Sequence, residues 1–181
     1  MFSLLNRCNA LQLPIDIQLE LFDRIVVPII IYGCEIWGYE GTKTLECLHL
    51  KFLKYILNVK KSTPNFMIYG ELGRFNLEIE IKCRMIAFWA KIMSDDNDKY
   101  SRQLYLITQQ LYEKKLIKCK WLDFVKGILN ECGLSYIWDK EHFQKTNVTW
   151  LKIKIKQTLQ DHFKQKWNAD IQNSNKAINY R

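Results

Sequence analysis

The fold is decided by residues 77–93, which read LEIEIKCRMIAFWAKIM. Asn76 precedes this stretch as a favourable helix N-cap, and Glu78 and Glu80 add negative charge to the first turn, where the helix dipole favours it. The apolar positions recur at helical spacing, in a main stripe that a second group widens: Leu77, Ile81, Met85, Phe88 and Ile92, then Ile79, Ile86, Ala90 and Met93. Because so wide an apolar surface needs cover on most sides, we predict a central helix.

The rest of the chain also favours helices. Only seven glycines and three prolines occur among 181 residues, too few for the turns that many short strands require. Residues 151–156 alternate apolar and basic side chains as a strand would, but Leu151, Ile155, Leu159 and Phe163 continue at helical spacing. We therefore predict an all-α protein, a helical bundle with a helical C-terminal extension. Its expected regions are residues 1–93, an acidic linker at 94–100, the extension at 101–170 and a polar tail at 171–181.

The segment from Pro14 to Tyr32 predicts an amphipathic helix. Ile17, Leu21, Ile25 and Ile29 recur every four residues, which keeps one helical face apolar. Pro28 lacks a backbone N–H and is expected to kink this helix. Residues 29–32 are apolar on all sides, so we expect most of their surface to be buried.

Composition predicts a basic protein of a reducing compartment. The formal net charge is +8, which suits a surface that attracts polyanions, although a solvated lysine-rich surface has the same charge. None of the six cysteines forms a C-x-x-C pair, so we predict free or buried thiols and no metal site. The longest apolar run, residues 25–34, is about half a membrane span. We expect an intracellular protein, cytoplasmic or nuclear, with no signal peptide and no membrane contact.

Motifs for catalysis are not found in the sequence. His49 lies at the edge of a helical apolar face, where a hydrogen-bonded core histidine is the more common case. Asp95, Asp96 and Asp98 lie on the linker, whereas two-metal catalysis needs carboxylates on rigid elements. No phosphate-binding glycine loop or metalloprotease motif occurs. We therefore predict no catalytic residue, no metal, no cofactor and no small-molecule substrate.

Three blocks resemble a known family: YGCEIWG at 32–38, HLKFLK at 49–54 and YGELGRF at 69–75. In this order and at these intervals they resemble the segment that follows the reverse transcriptase palm in LINE-type (non-LTR) retrotransposon polyproteins. The strong similarity spans roughly residues 8–93. One departure is Asn76, where the family leads us to expect proline.

The resemblance implies a role in holding nucleic acid without chemistry. In such polymerases an Ala-Asp-Asp turn of the palm carries the catalytic metal ions, and this chain has no Ala-Asp-Asp. Residues 1–93 would be a thumb-like helical region that grips an RNA–DNA hybrid or duplex. The palm of the parent polyprotein would be its protein partner, and the chain itself would be no enzyme.

Within this interpretation, five lysines are the candidates for phosphate contacts, because a row of lysines can follow a nucleic-acid backbone without reading bases. They are Lys43, Lys51, Lys54, Lys60 and Lys61. Lysines near a helix C-terminus also complement the helix dipole, which explains part of this pattern without a ligand.

Two other interpretations stay open. The apolar faces of residues 15–34 and 77–93 also suit a helical protein-interaction or structural module. A truncated retroelement reading frame with no independent function would have the same sequence. Trp37 and Tyr39 can stack on bases, but a tryptophan beside a buried helix end is more often part of the core, so we assign neither to a site.

Overall fold

A computed structural model describes residues 11–95 and 99–174, and every regular element in these ranges is a helix. The predicted all-α class is thus confirmed for the described residues. The helices are, in chain order, α1 Ile15–Leu21, α2 Val27–Ile30, α3 Cys34–Trp37, α4 Thr42–Ile56, α5 Asn65–Leu72, α6 Leu77–Ser94, α7 Tyr100–Glu113, α8 Lys120–Glu131, α9 Lys140–Gln144 and α10 Val148–Asn173. A π-helical turn, Phe22–Val26, joins α1 to α2, and a 3-10 turn, Ser135–Trp138, precedes α9. The predicted linker and tail lie partly outside the described residues, at 96–98 and 175–181.

Helix α6 is the centre of the fold, as its sequence predicts. It packs against α3, α4, α7, α8 and α10. Its largest fully buried side chain is Trp89, which donates its Nε1–H to Tyr105 Oη at 2.8 Å and stacks in parallel on Trp138. Phe88 and Ile92 of the predicted main stripe are only partly buried. The buried side of α6 therefore includes Trp89 at the expense of Phe88 and Ile92, because burial of its large ring removes the most apolar area from water.

Two hydrophobic clusters surround α6 and the helices before it. The larger cluster joins α6 to α7, α8, the 3-10 turn, α9 and the first half of α10. Trp89, Val125 and Leu151 all belong to it, so the helices before residue 95 and those after residue 99 share this core. The smaller cluster lies between α1–α2, α4 and α5 and includes Phe22 and Phe52.

Helix α10 resolves the ambiguity between strand and helix at residues 151–156. Asn147 caps it by accepting hydrogen bonds from the N–H groups of Thr149 and Trp150. Leu151 and Ile155 are buried, so the helical spacing decides the packing and the predicted helix is confirmed. The helix continues to Asn173, which corrects the predicted polar tail at 171–173; the reason is that Ile171 is buried against the fold.

The stripe of Ile17, Leu21, Ile25 and Ile29 is not the side of this segment that packs on the core. Leu19, Phe22 and Val26 are the buried residues, whereas Ile25 and Ile29 are 47% and 71% exposed. Phe22 determines which side faces the core. Its ring stacks on the Phe52 ring with the centroids 3.9 Å apart, and a phenylalanine buries more apolar area than an isoleucine would.

The helix is irregular in the turn before Pro28. The turn before it is π-helical, and the Val27 N–H bonds the Phe22 carbonyl five residues back. Of residues 29–32 only Ile31 is buried, and Tyr32 is 83% exposed, so the prediction that most of their surface is buried is wrong.

Asn76 occupies the N-cap of α6 as predicted, with φ −70° and ψ 152°, but its side chain makes no capping hydrogen bond. Its Oδ1 atom is buried and has no hydrogen-bond partner among the described residues. The Leu77 N–H donates instead to Glu46 Oε2, at 2.6 Å. The helix therefore begins at the predicted residue, but a carboxylate from α4 caps it.

Replacing Asn76 with proline is expected to raise the free energy of unfolding by about 1 kcal/mol. The φ of −70° matches proline, and the preceding Phe75 lies outside helical structure. The change removes a buried oxygen that lacks a partner and restricts the unfolded chain. Urea unfolding measures the effect.

The matched control is Asn147→Pro, at an N-cap with a φ of −72° whose side chain does accept two hydrogen bonds. This control should lose about 1 kcal/mol. If both proline variants were destabilised alike, the account of Asn76 would be contradicted.

Candidate nucleic-acid interface

Three of the five predicted lysines line one concave surface. It is a groove of about 550 Å³ between the C-terminal half of α4, the loop that follows and the first residue of α5. We call it the lysine groove, and its lining residues are Cys47, Leu50, Lys51, Lys54, Tyr55, Val59, Lys61 and Asn65. Lys51, Lys54 and Lys61 are thereby brought together although Lys61 lies beyond the end of the helix.

The end of α4 explains how the loop reaches back to the helix. Asn58 adopts a left-handed conformation with φ 51°, which asparagine tolerates better than most residues. The Asn58 N–H bonds the Tyr55 carbonyl at 3.0 Å, and the Val59 N–H bonds the Lys54 carbonyl at 3.1 Å. These two bonds reverse the chain, as in other helix ends with a left-handed residue. Lys54 Nζ then donates to the Lys61 carbonyl at 2.9 Å, so the loop is held against the helix.

Lys43 and Lys60 lie outside the lysine groove. Both are exposed, Lys43 in the first turn of α4 and Lys60 in the loop. Lys43 precedes Lys51 by eight residues, a rise of roughly 12 Å along the helix axis. Of the five candidate lysines, three therefore share one groove, and Lys43 and Lys60 lie elsewhere on the surface.

The groove also contains residues that the sequence analysis did not single out. Tyr55 is 46% exposed and Val59 is 38% exposed, and with Leu50 they form an apolar surface between the lysines. A signal for Tyr55 was available, since it lies four residues after Lys51 and therefore on the same side of α4.

Trp37 and Tyr39 have structural surroundings. Trp37 Nε1 donates to the Tyr32 carbonyl at 2.9 Å, and both rings pack against the larger hydrophobic cluster. Neither residue lines the lysine groove. Both are partly buried, which agrees with the more common case expected for Trp37.

A second polar arrangement lies inside the fold and joins two of the three family-like blocks. Glu46 Oε1 accepts a hydrogen bond from the Tyr69 hydroxyl and lies 3.0 Å from His49 Nδ1, while Glu46 Oε2 accepts from the Leu77 N–H. We call these four residues the Glu46 cluster. Burial, and then the adjacent Glu46 carboxylate, raise the pKa of Tyr69 well above its ordinary range, so its hydroxyl stays a donor.

The Glu46 cluster is a structural site. The His49 side chain is only 3% exposed, and its ring stacks on Phe22, so it is held within the packed interior. The prediction that His49 is a hydrogen-bonded core histidine is confirmed. From the 69–75 block, Arg74 also pairs with Asp23 Oδ2 at 2.5 Å, and Gly70 lies so close to the Trp167 ring that a Cβ there would meet it at 2.8 Å.

The described cysteines are free thiols, as predicted, and Cys8 lies outside the described residues. Burial raises the pKa of Cys34, Cys83 and Cys132 to about 11 from an ordinary value of 9.0. Because the thiolate is the reactive form, these three thiols react slowly at neutral pH. Cys47 is exposed and lines the lysine groove, so its reactivity reports on that surface.

Two other classes of site, for a metal ion and for a membrane, are absent from residues 11–95 and 99–174. No group of three or more histidine, cysteine or acidic side chains there is close enough to hold a metal ion. In the same ranges, no helix has both the length and the apolarity needed to cross a bilayer.

Comparisons with protein-family models, curated proteins and solved structures found no match to this chain. The resemblance to LINE-type reverse transcriptases therefore stays a prediction that depends on the three blocks quoted above.

Proposed function

We propose that this chain is a non-catalytic nucleic-acid-binding segment of a retroelement reverse transcriptase, with a thumb-like region that holds primer-template through the lysine groove. The observation that carries the proposal is the convergence of Lys51, Lys54 and Lys61 on one concave surface. Lysines in a row neutralise phosphates without reading bases, which suits a protein that must hold any sequence.

The scaffold around the groove supports this proposal. Phe52 and Leu53 of α4 are buried in the smaller cluster, so the helix that carries Lys51 and Lys54 cannot turn freely. The Glu46 cluster ties the same helix to α5 and to the start of α6. A binding surface on a fixed helix loses less entropy when a ligand orders it.

The proposal includes partners and location. The palm of the parent polyprotein would supply the catalytic aspartates, and this segment would bind the primer-template. The free thiols fit a reducing compartment, so we place the protein in the cytoplasm or the nucleus.

The test is the salt dependence of binding to an RNA–DNA hybrid. The slope of log K against log salt is negative, and each lost phosphate contact should reduce its magnitude by about 0.9. The triple variant Lys51→Gln, Lys54→Gln and Lys61→Gln should therefore reduce that magnitude by roughly 2 to 3. The charge-matched control is Lys140→Gln, Lys145→Gln and Lys152→Gln, three exposed lysines that lie in α9, just after α9 and in α10. Saturating hybrid should also slow maleimide labelling of Cys47, followed by peptide mass spectrometry.

A second candidate function, a protein-interaction module, is favoured by the apolar residues that the fold leaves exposed before α4. Ile29, Tyr32 and Ile36 are 71%, 83% and 66% exposed. If the wild-type chain bound no hybrid at low salt but self-associated with concentration in sedimentation, this candidate would replace the first. An equal effect of the two lysine triples would also overturn the assignment to the groove.

A further inference from the structure

The lysine groove has an apolar floor that phosphate contacts do not explain. Leu50, Tyr55 and Val59 contribute this floor, and nearly half of the Tyr55 surface is open to solvent. Lys51, Lys54 and Lys61 contribute the charge to the same groove. A surface that only tracked a phosphate backbone would gain nothing from apolar residues, because phosphates and sugars are strongly hydrated.

A duplex cannot use this floor, because its bases are stacked and paired inside the helix and it presents sugars and phosphates outward. An unpaired nucleotide offers both an apolar surface and negative charge. Its base has a flat π-face that stacks on aromatic side chains, while its phosphates reach nearby lysines. Stacking of this kind tolerates every base. It therefore suits a protein that binds nucleic acid without reading its sequence.

We propose that the lysine groove binds an unpaired nucleotide of single-stranded RNA or DNA, with its base on Tyr55 and its flanking phosphates on Lys51, Lys54 and Lys61. This inference rests on the proposed function and specifies its ligand. The groove volume of about 550 Å³ lies within the roughly 300–1,000 Å³ of ligand pockets. The reversal at Asn58 fixes the walls, since Val59 bonds the Lys54 carbonyl and Lys54 Nζ bonds the Lys61 carbonyl.

The experiment compares two forms of one RNA–DNA hybrid, blunt and with a short single-stranded overhang, the overhang being RNA in one arm and DNA in another. Wild-type protein should bind the overhang form roughly tenfold more tightly, because one stacked base is added. Tyr55→Ala should remove most of that tenfold gain, and Tyr55→Phe should keep it because the ring stays. Tyr136→Ala is the matched control, since Tyr136 is 51% exposed and lies outside the groove.

A second measurement needs no variant. An overhang with 5-iodouracil at its first unpaired position should photo-crosslink to the peptide that contains Tyr55. Equal affinity for blunt and overhang forms, or a crosslink elsewhere, would overturn this inference and leave the proposed function standing. Absence of salt-sensitive binding to either form would overturn both.

Discussion

Replacing Glu46 with alanine is expected to lower the free energy of unfolding by roughly 3–5 kcal/mol, about 10 °C in melting temperature for a chain of this size. The carboxylate accepts from the Tyr69 hydroxyl and the Leu77 N–H, and it pairs with His49 Nδ1. Tyr69 and Leu77 are buried, so neither donor gains full access to water after the change. Each buried donor without a partner costs about 1–3 kcal/mol, and the sum is a large part of a typical domain's stability.

A glutamine at position 46 should cost much less, about 1–2 kcal/mol. Its oxygen can accept from the Leu77 N–H, while its amide donates to the Tyr69 hydroxyl oxygen after that hydroxyl rotates. Urea unfolding of both variants measures the difference. Glu20→Ala is the matched control, because Glu20 pairs with Arg24 on the surface and such pairs contribute less than about 1 kcal/mol. If Glu46→Ala cost no more than Glu20→Ala, the Glu46 cluster would not hold the helices together.

The helical class could be predicted because the decisive pattern is local. The apolar positions of 77–93 and of 151–163 repeat at helical spacing over several turns, and both segments are helices in the structure. The apolar face of α1 could not be predicted, since residues 15–31 offer apolar side chains on both sides of a helix. The choice between these sides depends on Phe52, thirty residues away, which stacks on Phe22.

The candidate site could be predicted in part for the same reason. Lys51 and Lys54 share one helix, so their common side follows from spacing, whereas the approach of Lys61 depends on the left-handed turn at Asn58. Glu46 was not singled out, because its partners Tyr69 and Leu77 are 23 and 31 residues away. A lone glutamate on an amphipathic helix gives no sign that it accepts hydrogen bonds from two other helices.

Replacing Gly38 with alanine is expected to destabilise the fold by about 3 kcal/mol, the upper part of the usual cost of overpacking. Gly38 has ordinary helical dihedral angles, so backbone strain plays no part. A Cβ at this position would meet the Cys34 carbonyl oxygen at 2.4 Å, Ile81 Cγ2 at 2.5 Å and Met85 Sδ at 3.0 Å. Ile81 and Met85 are fully buried in α6, so they cannot move aside without a shift of α3 away from the central helix.

Gly127→Ala provides a control with the opposite sign. Gly127 lies within α8, and a Cβ there would meet nothing within 4 Å. The same substitution should therefore raise the free energy of unfolding by about 0.5–1 kcal/mol, because alanine loses less backbone entropy in a helix than glycine does. Thermal and urea unfolding of the two variants should move in opposite directions. A Gly38→Ala variant as stable as the wild type, or more stable, would contradict the close packing of α3 on α6 at Gly38.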